Sequence, residues 1–126
     1  PNSGKRQLAL IDMQGQTATR NPIDADPSGI WWGSMSGMFY TCLGNTLVGS
    51  NVIIAMANAY ESSRRPLAER LMAALVAGDQ AGGDHRGRLA AALRVASADV
   101  EDIALDIDES YDAVMELNQK YARYFS

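Results

Sequence analysis

The cleanest alternation of apolar and polar positions lies near the end of the chain. There Ile103, Leu105 and Ile107 fall on one side, and Asp102, Ala104, Asp106 and Asp108 on the other. A period of two marks a half-buried antiparallel strand. The run Gln7-Leu8-Ala9-Leu10-Ile11 predicts a short buried strand. The turn chemistry of Asp12-Met13-Gln14-Gly15 then brings residues 16–20 back as the second arm of a hairpin. Residues 21–29 hold Pro22, Asp24, Asp26 and Pro27 and predict a loop; residues 31–43, rich in aromatic and small side chains, predict one or two strands. The period then becomes helical. Ser50 is placed to cap a helix over 51–61, with Val52, Met56 and Tyr60 on one face and Ile53 beside them. Pro66 suits the first turn of a second helix, whose Leu67, Leu71 and Leu75 form a stripe and which ends near Gly78. A glycine-rich connection over 81–88 leads into residues 89–95, read as a central strand although Ala90-Ala91-Ala92 favours helix by propensity. A last helix over 110–125 carries Val114, Leu117, Tyr121 and Tyr124 on one stripe.

Hairpins outnumber βαβ crossovers in this order, which predicts the α+β class: a largely antiparallel sheet with helices layered on it, in one domain spanning residues 1–126. The strands at 8–11 and 89–95 read as apolar on two faces, and such strands belong inside a sheet covered on both sides. Three helices, two of them consecutive, do not supply that cover. The chain is therefore expected to lean on another polypeptide, and to aggregate or stay molten without it.

Composition narrows the chemistry. Eleven basic against fifteen acidic residues give a net charge of −4, with no basic patch, which argues against nucleic acid as a partner. No apolar run is long enough to span a membrane. A single cysteine, Cys42, excludes an internal disulfide framework; a single histidine, His85, excludes multi-histidine metal sites. No metal or other cofactor is expected.

The most distinctive segment is Ala81-Gly82-Gly83-Asp84-His85-Arg86-Gly87-Arg88. Loops at strand ends are common places for a site. Asp84 can orient a base or pair with Arg86 or Arg88, and either guanidinium can clamp a carboxylate with two parallel hydrogen bonds. The plainer reading is a tight turn held by its own Asp–Arg pair. The Gly-Lys-Ser/Thr ending of a phosphate-binding loop is missing. Asp84 and His85 lack a nucleophile-elbow serine, because Gly33-Ser34-Met35-Ser36-Gly37 matches that pattern only in part. Asp102, Asp106 and Asp108 read as a solvated strand face, Trp31 and Trp32 as packing, and Cys42 as a buried, inert thiol.

The string from Ala77-Gly78-Asp79-Gln80 through Arg88 resembles the signature of a bacterial and archaeal family, the Ntn-hydrolase-like domain of unknown function 1028. Arg6-Gln7-Leu8-Ala9-Leu10-Ile11-Asp12 with Gly15, Gly44-Asn45-Thr46-Leu47, residues 52–60 and Leu67-Ala68-Glu69-Arg70-Leu71 resemble further pieces of that family in the same order. Arg20, Thr46 and Ala90 depart from it, standing where the family usually has Gly, Met and often Ser. The resemblance implies an αββα sandwich of which this chain is the C-terminal part, with the N-terminal part on a separate chain and further homo-oligomerisation. In Ntn hydrolases an N-terminal Thr, Ser or Cys attacks an amide or peptide bond, with its own α-amine as base. Pro1 cannot be that nucleophile; a cut ahead of Pro1 is expected, and a proline base of the tautomerase kind is the other reading of it. What the resemblance leaves to this chain is Asn45 as a candidate oxyanion or substrate contact. Asp84, His85, Arg86 and Arg88 are then candidates for binding substrate or orienting the site. The expected ligand is a small molecule or peptide and the expected setting is the cytoplasm. A non-catalytic binding or structural module of the same fold is the alternative.

Overall fold

A computed structural model describes residues 3–22 and 31–125. Pro1 and most of the loop expected over 21–29 lie outside the described residues. The class is mixed α+β: antiparallel hairpins and three helices among the described residues. The hairpins are β1 (Leu8–Ile11) with β2 (Thr17–Arg20), β3 (Trp31–Gly37) with β4 (Tyr40–Leu47), and β5 (Ala91–Val95) with β6 (Ile103–Ile107). Helices α1 (Ser50–Ser62) and α2 (Leu67–Gln80) follow β4, and α3 (Ala113–Tyr124) closes the order. No helix among the described residues is long and apolar enough to cross a membrane.

The expected alternation in β6 holds: Leu105 is buried, Ile103 and Ile107 are half-buried, and the acidic positions face outward, with Asp106 paired to Arg94 across the hairpin. Leu105 joins Leu93 of β5, Ala68 and Met72 of α2 and Leu117 of α3 in one core cluster; Leu47, Val52 and Ile53 form a second under β4 and α1. Helices α1 and α2 pack closely where α2 carries Gly78, since a Cβ there would meet the Met56 side chain at 2.7 Å. Tyr60 stacks on Tyr40 at 4.7 Å between ring centres and takes the Arg70 guanidinium over its ring at 3.9 Å, which ties β4, α1 and α2 together.

Several expectations are corrected. The buried face of α2 is Ala68, Met72, Ala74 and Gly78, one position on from the leucine stripe; Leu67 is exposed and Leu71 and Leu75 are flanks. A repeat of four residues drifts around a helix of 3.6 residues per turn, so Ala68 and Met72 face β5, β6 and α3 with Leu71 and Leu75 packed beside them, while Gly78 meets α1. Gly49, not Ser50, stands at the start of α1, with no side-chain cap. The strand expected at 89–95 begins at Ala91, because the carbonyls of Arg88 and Leu89 accept hydrogen bonds from Ala113 and Ser110 at the start of α3. In this chain β1 is not buried: Leu8, Leu10 and Ile11 are 54%, 72% and 50% exposed.

Truncation should report this layout. Leu117 is fully buried at the centre of the larger cluster, so Leu117→Ala is expected to cost about 2–5 kcal/mol, whereas Leu10→Ala on the open face of β1 should cost under about 1 kcal/mol. Denaturant titration of the two variants checks the ranking; equal losses would mean that β1 is covered in solution.

Candidate functional site

The end of α2 winds directly into the glycine-rich loop. The amides of Gly82 and Gly83 donate to the carbonyls of Asp79 and Gly78 at 3.0 Å each. Both glycines have positive φ, 118° and 58°, a region that side chains with a Cβ disfavour. The chain then runs antiparallel to the end of β4. The His85 amide donates to the Thr46 carbonyl at 2.9 Å, and the Val48 amide to the Gly83 carbonyl at 3.1 Å, so Asp84 sits opposite Leu47.

This short ladder brings the Asp84 carboxylate to the Thr46 hydroxyl, which donates to Asp84 Oδ2 at 2.8 Å. On its other side Asp84 takes Arg86: the Arg86 amide donates to Oδ1 at 2.8 Å, and the guanidinium donates from Nε to Oδ1 at 3.0 Å and from Nη2 to Oδ2 at 2.7 Å. The Arg86 guanidinium foremost, then its backbone amide and the Thr46 hydroxyl, hold the Asp84 carboxyl down at about 2, against partial burial that pushes it up. Thr46 adopts φ 54°, unusual for a β-branched residue. Its neighbour Asn45 is exposed, and the Asn45 amide donates to Gln7 Oε1 at 3.4 Å. Gln7 in turn donates to the carbonyls of Gly33 and Gly44 at 3.0 Å each. A continuous polar line therefore runs Gln7–Asn45–Thr46–Asp84–Arg86.

Of the residues singled out in the sequence, Asn45, Asp84 and Arg86 come together. Arg88 does not join them; it pairs with Asp79, whose side chain is only 11% exposed. The His85 side chain is exposed and makes no hydrogen bond among the described residues. Thr46 and Gln7 also belong to the constellation, through contacts with residues 38 positions away that no local pattern signals. Behind the loop lies a cavity of about 270 Å³, with Leu47, Val52 and Met56 among its apolar lining and Asp79, Asp84 and Arg88 as its polar groups. Among the described residues no cluster of three or more His, Cys, Asp or Glu side chains is placed to hold a metal.

A family model described as a family of unknown function, DUF1028, matches residues 1–117. A crystal structure of a DUF1028 protein from Silicibacter pomeroyi is similar over 98% of this chain, with a TM-score of 0.83 and 31% identity. The match takes in 52% of that protein's chain, so this chain spans about half of its length. No curated protein matches.

The carboxyl value of Asp84 carries a sign. Its folded value lies below the ordinary 3.8, so it contributes stability above about pH 4, which is lost as the pH falls through about 2. Asp84→Asn should flatten that part of the acid limb of stability against pH. Thr46→Val, which keeps the shape and removes the hydroxyl, should cost about 1 kcal/mol by denaturant titration; an acid limb unchanged in Asp84→Asn would show that the carboxylate is not held in this way.

Proposed function

The chain belongs to the DUF1028 family, a family of unknown function, and from that premise we propose that it is the C-terminal part of a cytoplasmic Ntn-type hydrolase. On this reading the domain is an αββα sandwich and cuts an amide or peptide bond, with the nucleophile at the start of a separate N-terminal part. The residues of this chain then bind and orient rather than attack. A carboxyl held at about 2 is a weak base at neutral pH, so Asp84 is not the proton acceptor. Its role is to fix Arg86 and Thr46. Asn45, exposed at the mouth of the same line, offers an amide donor to a substrate carbonyl or to the oxyanion that develops on it. The observation that carries this reading is the convergence of Asn45, Thr46, Asp84 and Arg86 at one end of β4.

One observation favours a non-catalytic binding or structural module instead. Both loop guanidinium groups already hold carboxylates of the chain itself, Arg86 on Asp84 and Arg88 on Asp79.

The two readings separate in a single set of measurements on the assembled protein. Its N-terminal part should begin with Thr, Ser or Cys, and a panel of peptide and acyl-amide substrates should include one that is turned over. Asn45→Ala should then lower kcat about 100-fold, the usual scale for an oxyanion donor, with little change in Tm. Binding without turnover, weakened by Asn45→Ala, would decide for the module.

A further inference from the structure

Gln7 stands just ahead of β1 at one end of the polar line, and it is half-buried. Its Nε2 reaches three acceptors: the carbonyls of Gly33 and Gly44 at 3.0 Å each, and Asn21 Oδ1 at 2.9 Å. Two of these are backbone carbonyls, which only accept. The nitrogen end of the Gln7 amide therefore faces β3 and β4, and its oxygen faces away from them. Asn21 agrees with this direction. Its own nitrogen donates to Ser34 Oγ at 3.2 Å, which leaves its oxygen for Gln7.

The oxygen of Gln7 is what Asn45 meets, with Asn45 Nδ2 at 3.4 Å from Gln7 Oε1. An amide oxygen has no hydrogen to give, so Asn45 turns its nitrogen towards Gln7. On the other side Asn45 Oδ1 lies 3.4 Å from the Thr46 hydroxyl, a donor. Both neighbours select the same orientation of the Asn45 amide. Its nitrogen carries two hydrogens and Gln7 takes one. Among the described residues the second has no acceptor, and Asn45 is exposed. The line thus ends on a single N–H presented to solvent.

We infer that Gln7 is a positioning residue: it fixes the Asn45 amide as a hydrogen-bond donor, so the group received there is an acceptor, a carbonyl oxygen or an oxyanion. The direction originates in the carbonyls of Gly33 and Gly44 and passes through two uncharged amides, none of which titrates. Its meaning for turnover rests on the role proposed above for Asn45; the orientation itself does not.

Nuclear magnetic resonance on the assembled protein, with 15N in its asparagine side chains, tests the orientation. In the unsubstituted protein the Asn45 side-chain amide should be rigid, with an order parameter near the about 0.85 of ordered backbone. In Gln7→Met and in Gln7→Glu, neither of which donates to the two carbonyls at neutral pH, it should fall below about 0.6. A mobile Asn45 amide in the unsubstituted protein overturns the inference, and so does one that stays rigid in both variants. Kinetics separates positioning from a merely structural role. With a substrate from the panel above, Gln7→Met should lower kcat about tenfold at nearly constant KM, and should add nothing to Asn45→Ala. A loss of the same size in the Asn45→Ala background overturns positioning through Asn45. Absence of turnover with every substrate counts against the function proposed above, and the order parameters then decide this inference by themselves.

Discussion

Two backbone hydrogen bonds, from the His85 amide to the Thr46 carbonyl and from the Val48 amide to the Gly83 carbonyl, hold the glycine-rich loop against the end of β4, and the remaining organisation hangs on them. Upstream, the loop continues the last turn of α2. Downstream, the carbonyls of Arg88 and Leu89 take up amides at the start of α3. One segment thus fixes a strand of one hairpin, the end of one helix and the beginning of another. It also spans the two apolar clusters, which share no buried residue. Asn51 reinforces the junction by donating from its side chain to the Ala81 carbonyl at 2.9 Å, so the start of α1 and the end of α2 are locked as well.

The order of strength within the loop follows from exposure. The Arg86 side chain is 61% exposed, and an ion pair in that setting stabilises little, under about 1 kcal/mol. The backbone ladder and the turn in which the Asp84 side chain accepts the Arg86 amide are local and less screened. The geometry is therefore set by the backbone, and the Asp84–Arg86 pair is its consequence. Asp79 and Arg88 differ, because Asp79 is largely withdrawn from water and a buried carboxylate without a cation would be costly. The plain reading of the loop, a turn held by its own acid and base, describes these contacts, and it places the Asp84 carboxylate beside Thr46 at the same time.

Local patterns were legible in the sequence and long-range ones were not. The alternation in β6, the turn at Asp12–Gly15 and the stripe of α3 each depend on neighbours a few residues apart; the first two appear where the pattern puts them, and α3 buries Val114 and Leu117 of its stripe but begins at Ala113 and leaves Tyr124 exposed. The Asp84–Arg86 contact is equally local. Thr46 is different. Nothing in its sequence surroundings indicates a left-handed β-branched residue, and its partner Asp84 lies 38 positions away. Gln7 reaches Asn45 across the same separation. The exposure of β1 has a related cause: an apolar strand reports that its face is meant to be covered, and the cover is not among the described residues of this chain.

The pairing of Arg86 with Asp84 also sets what the loop refuses. The two side chains are two residues apart and already joined at two atoms each, so any visiting anion faces an intramolecular competitor at high effective concentration. A free carboxylate or phosphate seeking the Nε–Nη2 edge of Arg86 would have to displace Asp84 and leave it without its cation, beside a Thr46 hydroxyl fixed to receive it. Seen from outside, the pair is close to electrically neutral. The loop thereby discriminates by polarity without net charge: uncharged groups such as amides can approach Asn45 unopposed, while acids gain nothing by coming close.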